Sequence, residues 1–142
     1  GFKRLKDTGK RYFGFYANKW IREQNRLKEY QDGLCYILGC CVGMINDKTL
    51  KIPQNVQYKE DVYRCIHFYK NSGMFRHNKI FIKTKYYRKE GGLSSTRTIE
   101  NEKESALELV KLFPEYLKIR KKNVRYQFIF NRKLSNLSTP LR

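Results

Sequence analysis

Between Lys70 and Lys89 the chain carries seven Lys or Arg side chains and not one Asp or Glu, woven through aromatic residues in a strand-like run. Two further basic blocks sit at the ends: residues 1–28 hold nine basic and two acidic side chains, and residues 115–142 hold eight and one. Each block nets +7, while residues 29–69 and 90–114 net −1 and −2, so the blocks account for the whole +18. A single-sign field of that size repels itself unless a polyanion neutralises it, which points to nucleic acid or an anionic membrane as the partner. Charge alone pushes toward disorder, so the expectation is a folded centre, built from the apolar content, with basic ends that order on that partner.

A chain of 142 residues is one domain by length, able to bury roughly two thirds of the surface its unfolded form would expose. A hydrophobic content of 40% with 15% aromatics is too rich for a disordered tail. The longest apolar run, Leu34–Ile45, has 12 residues, too few for a spanning helix, and Gly1–Arg11 lacks the apolar region of a secretory signal. Cys35, Cys40, Cys41 and Cys65 form no spaced framework and read as buried free thiols of a reducing, intracellular compartment.

Periodicity supplies the elements. Residues 1–14, with Gly9 and Gly14 among Lys and Arg, read as an extended basic arm. Trp20, Leu27 and Tyr30 fit an amphipathic helix from Tyr16 to about Gln31, stopped by Gly33. Leu34–Val42 is a short buried segment of either type, followed by a loop marked by Asn46, Asp47 and Pro53. Tyr58, Val62, Cys65, Ile66 and Tyr69 predict a helix over Tyr58–Ser72. Lys79–Tyr87 alternates, with Ile80, Ile82, Thr84 and Tyr86 opposite Lys79, Phe81, Lys83 and Lys85, the pattern of a half-buried strand with a basic face. Thr98 opens a helix whose apolar face is Ala106, Leu109, Val110 and Phe113 and which Pro114 ends. Lys118–Lys122 reads as a basic turn and Val124–Phe130 as a second strand. The expected class is α+β, a small antiparallel sheet with about three packed helices and basic extended termini. One domain spans 1–142: an arm over 1–14, a core over 15–130 and a basic tail over 131–142.

Phosphates call for Lys or Arg at their oxygens and unpaired bases call for aromatic faces, and a strand presents both on one surface. The candidate nucleic-acid-binding residues are therefore Lys3, Arg4, Lys6, Lys10 and Arg11 in the arm, and Arg76, Lys79, Phe81, Lys83, Lys85, Tyr87, Arg88 and Lys89 in the central block. Arg120, Lys121, Lys122, Arg125, Arg132 and Lys133 complete the set at the C-terminal end. The cysteines with His67 and His77 lack the two close pairs of a structural zinc site, and His67 reads as a hydrogen-bonded core histidine. The carboxylates give no cluster for a catalytic metal: Glu100–Glu108 lie at helical spacings, and Glu60-Asp61 suit the first turn of a helix. No glycine-rich phosphate loop or nucleophile motif is present, so neither a cofactor nor a small-molecule substrate is expected.

Tyr36-Ile37-Leu38-Gly39 resembles the opening of the helix motif of LAGLIDADG homing endonucleases, over residues 36–45 only. That resemblance implies an acidic metal ligand near the motif's end, where Met44 and Ile45 stand. The expectation is thus not an enzyme. It is an RNA-binding structural protein of a ribonucleoprotein particle, most specifically a ribosomal protein, touching rRNA and neighbouring proteins and spanning no membrane. The Lys, Asn, Ile and Tyr bias suits an AT-rich genome, that of an organelle such as the mitochondrion, a parasite or a virus. The alternative is a DNA-binding module of a viral or mobile-element protein, with or without nuclease activity.

Overall fold

The computed structural model describes residues 1–16, 26–82, 96–122 and 125–131. In chain order these form α1 (Phe2–Thr8), β1 (Tyr12–Tyr16), β2 (Tyr30–Asp32), β3 (Val42–Met44), a 3-10 turn (Gln54–Lys59), α2 (Glu60–Asn71), β4 (Met74–Phe81), α3 (Ile99–Leu112), β5 (Leu117–Lys122) and β6 (Arg125–Phe130). The class is α+β. One sheet has the order β2-β4-β1-β3, and β5 pairs with β6 in a separate hairpin. The four-stranded sheet is mixed rather than antiparallel, because β1 and β4 run parallel with Phe13 opposite Phe75. Chain between them, including β3 and α2, supplies the long crossover that parallel neighbours require.

Local chemistry explains the helices. In α2, Glu60 and Asp61 place negative charge in the first turn, where the helix dipole favours it, and Val62, Cys65, Ile66 and Tyr69 bury one face. Each large apolar side chain fully buried there contributes roughly 1.5–3 kcal/mol. Gly73, at φ 78°, takes the left-handed conformation that lets the chain turn from α2 into β4, its N–H donating to Phe68 O at 2.7 Å. In α3, Thr98 Oγ1 accepts from the Asn101 N–H at 3.0 Å as an N-cap, and the helix ends at Leu112, before Pro114.

The strand period divides the main sheet into two faces. Tyr12 and Met74 point toward α2, where Tyr12 stacks on Phe68 at 4.8 Å. Gly14 lies so close to Ile37 that a Cβ would overlap Ile37 Cγ2. Phe13 and Phe75 face the opposite way, stack at 5.5 Å and are capped by Leu5 of α1. The hairpin closes on the main core through Tyr116 and Leu117, with Phe128 and Phe130 packed against it.

Several expectations are corrected. Residues 1–14 are not an extended arm, since they contain α1 and enter a central strand of the sheet. The strand expected from Lys79 begins at Met74 instead; its first half does not alternate in hydropathy because Arg76 is half-buried and Asn78 is buried, each with polar partners. Residues 118–122 are strand β5 rather than a turn. Of the helix expected over 16–31, Tyr16, Tyr30 and Gln31 are strand residues and Arg26 is helical, while residues 17–25 lie outside the described residues. The helix implied by the endonuclease resemblance is also absent: residues 35–38 are irregular and 39–40 form a turn.

Candidate nucleic-acid interface

Acidic side chains are scarce, and the fold places most of the described ones in internal ties. Asp32 Oδ2 accepts from Arg4 Nη2 at 3.0 Å, and its other oxygen pairs with Lys10 Nζ. The Arg4 guanidinium also lies 4.2 Å above the Tyr30 ring. Arg76 donates to Tyr36 O at 3.0 Å, Gln31 Oε1 at 2.6 Å and Asn78 Oδ1 at 2.9 Å, and lies over the Tyr16 ring. Arg11 bonds the Asn46 carbonyl, and Lys3 pairs with Asp7 at 2.7 Å on the surface of α1. Of the sequence-expected contacts, Arg4, Lys10 and Arg76 are thus architectural, while Lys6 is exposed with no ion pair among the described residues.

The C-terminal set has a different geometry. The β5–β6 register pairs Lys118 with Ile129, Arg120 with Gln127 and Lys122 with Arg125, alternating with Leu117–Phe130, Ile119–Phe128 and Lys121–Tyr126. Leu117 is buried, whereas Lys118, Arg120 and Ile129 are exposed. Two-residue periodicity therefore places Lys118 and Arg120 side by side on the outer surface, about 7 Å apart. Neither has an ion-pair partner among the described residues. The backbone positions of Lys121, Lys122 and Arg125 continue the same ladder.

The central block divides. Lys70 lies over the Phe113 and Tyr116 rings at 5.7 and 5.5 Å, Arg76 is tied inward, and Lys79 and Ile80 are exposed. Phe81 ends β4 opposite Tyr16. Lys83, Lys85, Tyr87, Arg88, Lys89, Arg132 and Lys133 lie outside the described residues. Sequence reading missed a further group: Phe15, His77 and Tyr30 stand in one row across β1, β4 and β2. The aromatic run Tyr12–Tyr16 was the available signal, but among basic residues it reads as part of an arm.

Other polar groups are engaged within the fold. His67 is nearly buried, with Nε2 3.1 Å from Asp47 Oδ2 and Nδ1 3.4 Å from Asn71 Nδ2. Hydrogen bonds from the Thr49 hydroxyl and N–H, then from His67, pull the Asp47 carboxyl down to about 2. Burial raises the thiols, Cys35 to about 12 and Cys65 well above its ordinary value. All four cysteines are free, and Cys40 is exposed, contrary to the expectation that it is buried. Among the described residues no three His, Cys, Asp or Glu side chains are grouped to hold a metal, and no helix is long and apolar enough to cross a membrane.

No protein-family model, curated protein or solved structure matches the chain.

Proposed function

We propose that this chain is an RNA-binding structural component of a ribonucleoprotein particle, holding the phosphate backbone on the outer surface of the β5–β6 hairpin. The observation that carries this reading is the excess of outward cations. The chain nets +18, yet the described carboxylates are largely committed to internal ties, leaving Lys118 and Arg120 facing solvent. Such a surface gains affinity by releasing counterions condensed on a nucleic acid, a gain that needs neither a reaction nor a cofactor. A ribosomal protein, organellar in keeping with the compositional bias, is the most specific form of the proposal.

The test is RNA binding across a salt series for wild type and for Lys118→Ala with Arg120→Ala. Each lost phosphate contact lowers the steepness of log K against log salt by roughly 0.7 on single strands, so the double variant should lose about 1.4. An unchanged slope would remove the hairpin from the interface. Preference for duplex DNA, or strand cleavage dependent on Mg²⁺, would replace the RNA reading with a DNA-acting one.

A further inference from the structure

The outer face of the main sheet carries two successive aromatic rows: α1 covers the first, and of the second its Arg4 reaches over Tyr30. The first row is Phe13 and Phe75, buried under Leu5 with Phe2 edge-on to Phe13 at 5.3 Å. The next row is Phe15, His77 and Tyr30, aligned by register, all half-buried, with ring centroids 6.3 Å (Phe15) and 4.7 Å (Tyr30) from His77. Immediately beyond it the β1–β4 pairing shifts from Phe15–His77 to Tyr16–Phe81, so residues 78–80 of β4 form a bulge. Asn78 fixes that bulge from inside: it is buried, its N–H donates to Glu29 O at 2.8 Å and its Nδ2 to Lys28 O at 2.9 Å. The bulge leaves Lys79 and Ile80 exposed beside the row.

From this arrangement we infer that Phe15 and His77, flanked by Tyr30, form a stacking subsite for unpaired RNA bases, with Lys79 placed for the adjoining phosphate. The inference rests on the proposed RNA-binding function and assigns the bases a place apart from the hairpin. An unpaired base offers a flat π-face to these rings and a phosphate to the lysine, so its chemistry complements both parts of the surface. Burial lowers the His77 pKa against the opposing pull of Glu29, with Oε1 3.5 Å from Nε2, so the ring is uncharged at neutral pH and acts as an aromatic surface. The Arg4 guanidinium already lies over one face of Tyr30, so the base contact is assigned to Phe15 and His77, with Tyr30 at their edge.

The test compares wild-type binding of an oligouridylate of about ten nucleotides with that of an abasic oligomer of the same length and charge. The base-bearing strand should bind roughly ten-fold tighter, an advantage that persists in high salt. Phe15→Leu, and His77→Gln as a less disruptive second variant, should each reduce that advantage while the salt slope stays at the wild-type value. Equal affinity for both oligomers in the wild type would overturn the subsite and leave phosphate binding standing. Folded variants that keep the full advantage would also overturn it. Failure of the wild type to bind either oligomer would remove the RNA reading and the subsite with it.

Discussion

Replacing Asp32 by Asn tests whether the N-terminal cations are architectural. The carboxylate holds Arg4 and Lys10, from opposite ends of the α1–β1 entry, against the edge strand β2. Its side chain is 30% exposed, Arg4 is 32% exposed and Lys10 13%, so both pairs lie between surface and interior. Exposed pairs contribute about 0–1 kcal/mol and hydrogen bonds to charged groups about 1.5–3 kcal/mol; an intermediate value of about 1–1.5 kcal/mol each gives a loss of about 2–3 kcal/mol. For a domain of this size that lowers Tm by roughly 8–10 °C. The deficit should shrink as salt is added, because the two cations left facing one another are screened. Thermal unfolding by circular dichroism at low and moderate salt measures it. Lys10→Met in the wild-type and Asp32→Asn backgrounds isolates the pair, with a coupling of about 1 kcal/mol expected. A fall in Tm below about 2 °C, or independent effects of the two substitutions, would refute the assignment of α1 as a helix fastened by charge.

The same logic predicts that Lys10→Met lowers stability but leaves the salt slope of RNA binding unchanged, since Lys10 Nζ is engaged by Asp32 within the fold; titration of the variant against RNA checks this. Asp47 is stabilising when ionised, so with its pKa lowered from 3.8 to about 2 its contribution is complete above pH 4 and disappears as pH falls toward 2. Asp47→Asn should therefore flatten the acid limb of stability, measured by urea unfolding at a series of pH values. Thr98→Ala should cost about 1 kcal/mol through loss of the bond to the Asn101 N–H, read as a lower urea midpoint at unchanged m-value. A thiol reagent at mild alkaline pH should modify Cys40 first and reach Cys35 and Cys65 only on unfolding, as mass mapping after timed quenching would show.

Elements built from neighbouring residues were legible in the sequence. The helix over 60–71 has its apolar positions three and four apart with acid at its start, and the helix over 99–112 shows its Thr98 cap and its Pro114 stop. Strand β6 is legible in the alternation of Tyr126, Phe128 and Phe130 with Arg125, Gln127 and Ile129, the expected first residue, Val124, lying outside the described residues. Its partner β5 was not, because Lys118, Arg120, Lys121 and Lys122 conceal the inward positions Leu117 and Ile119. Strand β4 was displaced because Arg76 and Asn78 carry polar groups into a covered layer, satisfied by Gln31, Tyr36 and Lys28. Those partners come from 45, 40 and 50 residues away, beyond the reach of any local pattern.

Charge shows the same division between local and distant information. Blocks of +7 mark where cations are dense, but a block does not say which cations remain available. Arg4 and Lys10 belong to the N-terminal block and share Asp32, 28 and 22 positions away, whereas Lys118 and Arg120 alternate with buried or half-buried residues and face outward. Within the central block Lys70 and Arg76 are turned onto aromatic rings, and the bulge leaves Lys79 exposed. Counting charge therefore identifies the kind of partner, while the few acids decide where it can be met. Substitutions of cations that share an acid with the fold will lower Tm, and those of cations without one will change the salt slope. The two measurements together sort the basic residues of this chain by role, which net charge alone does not.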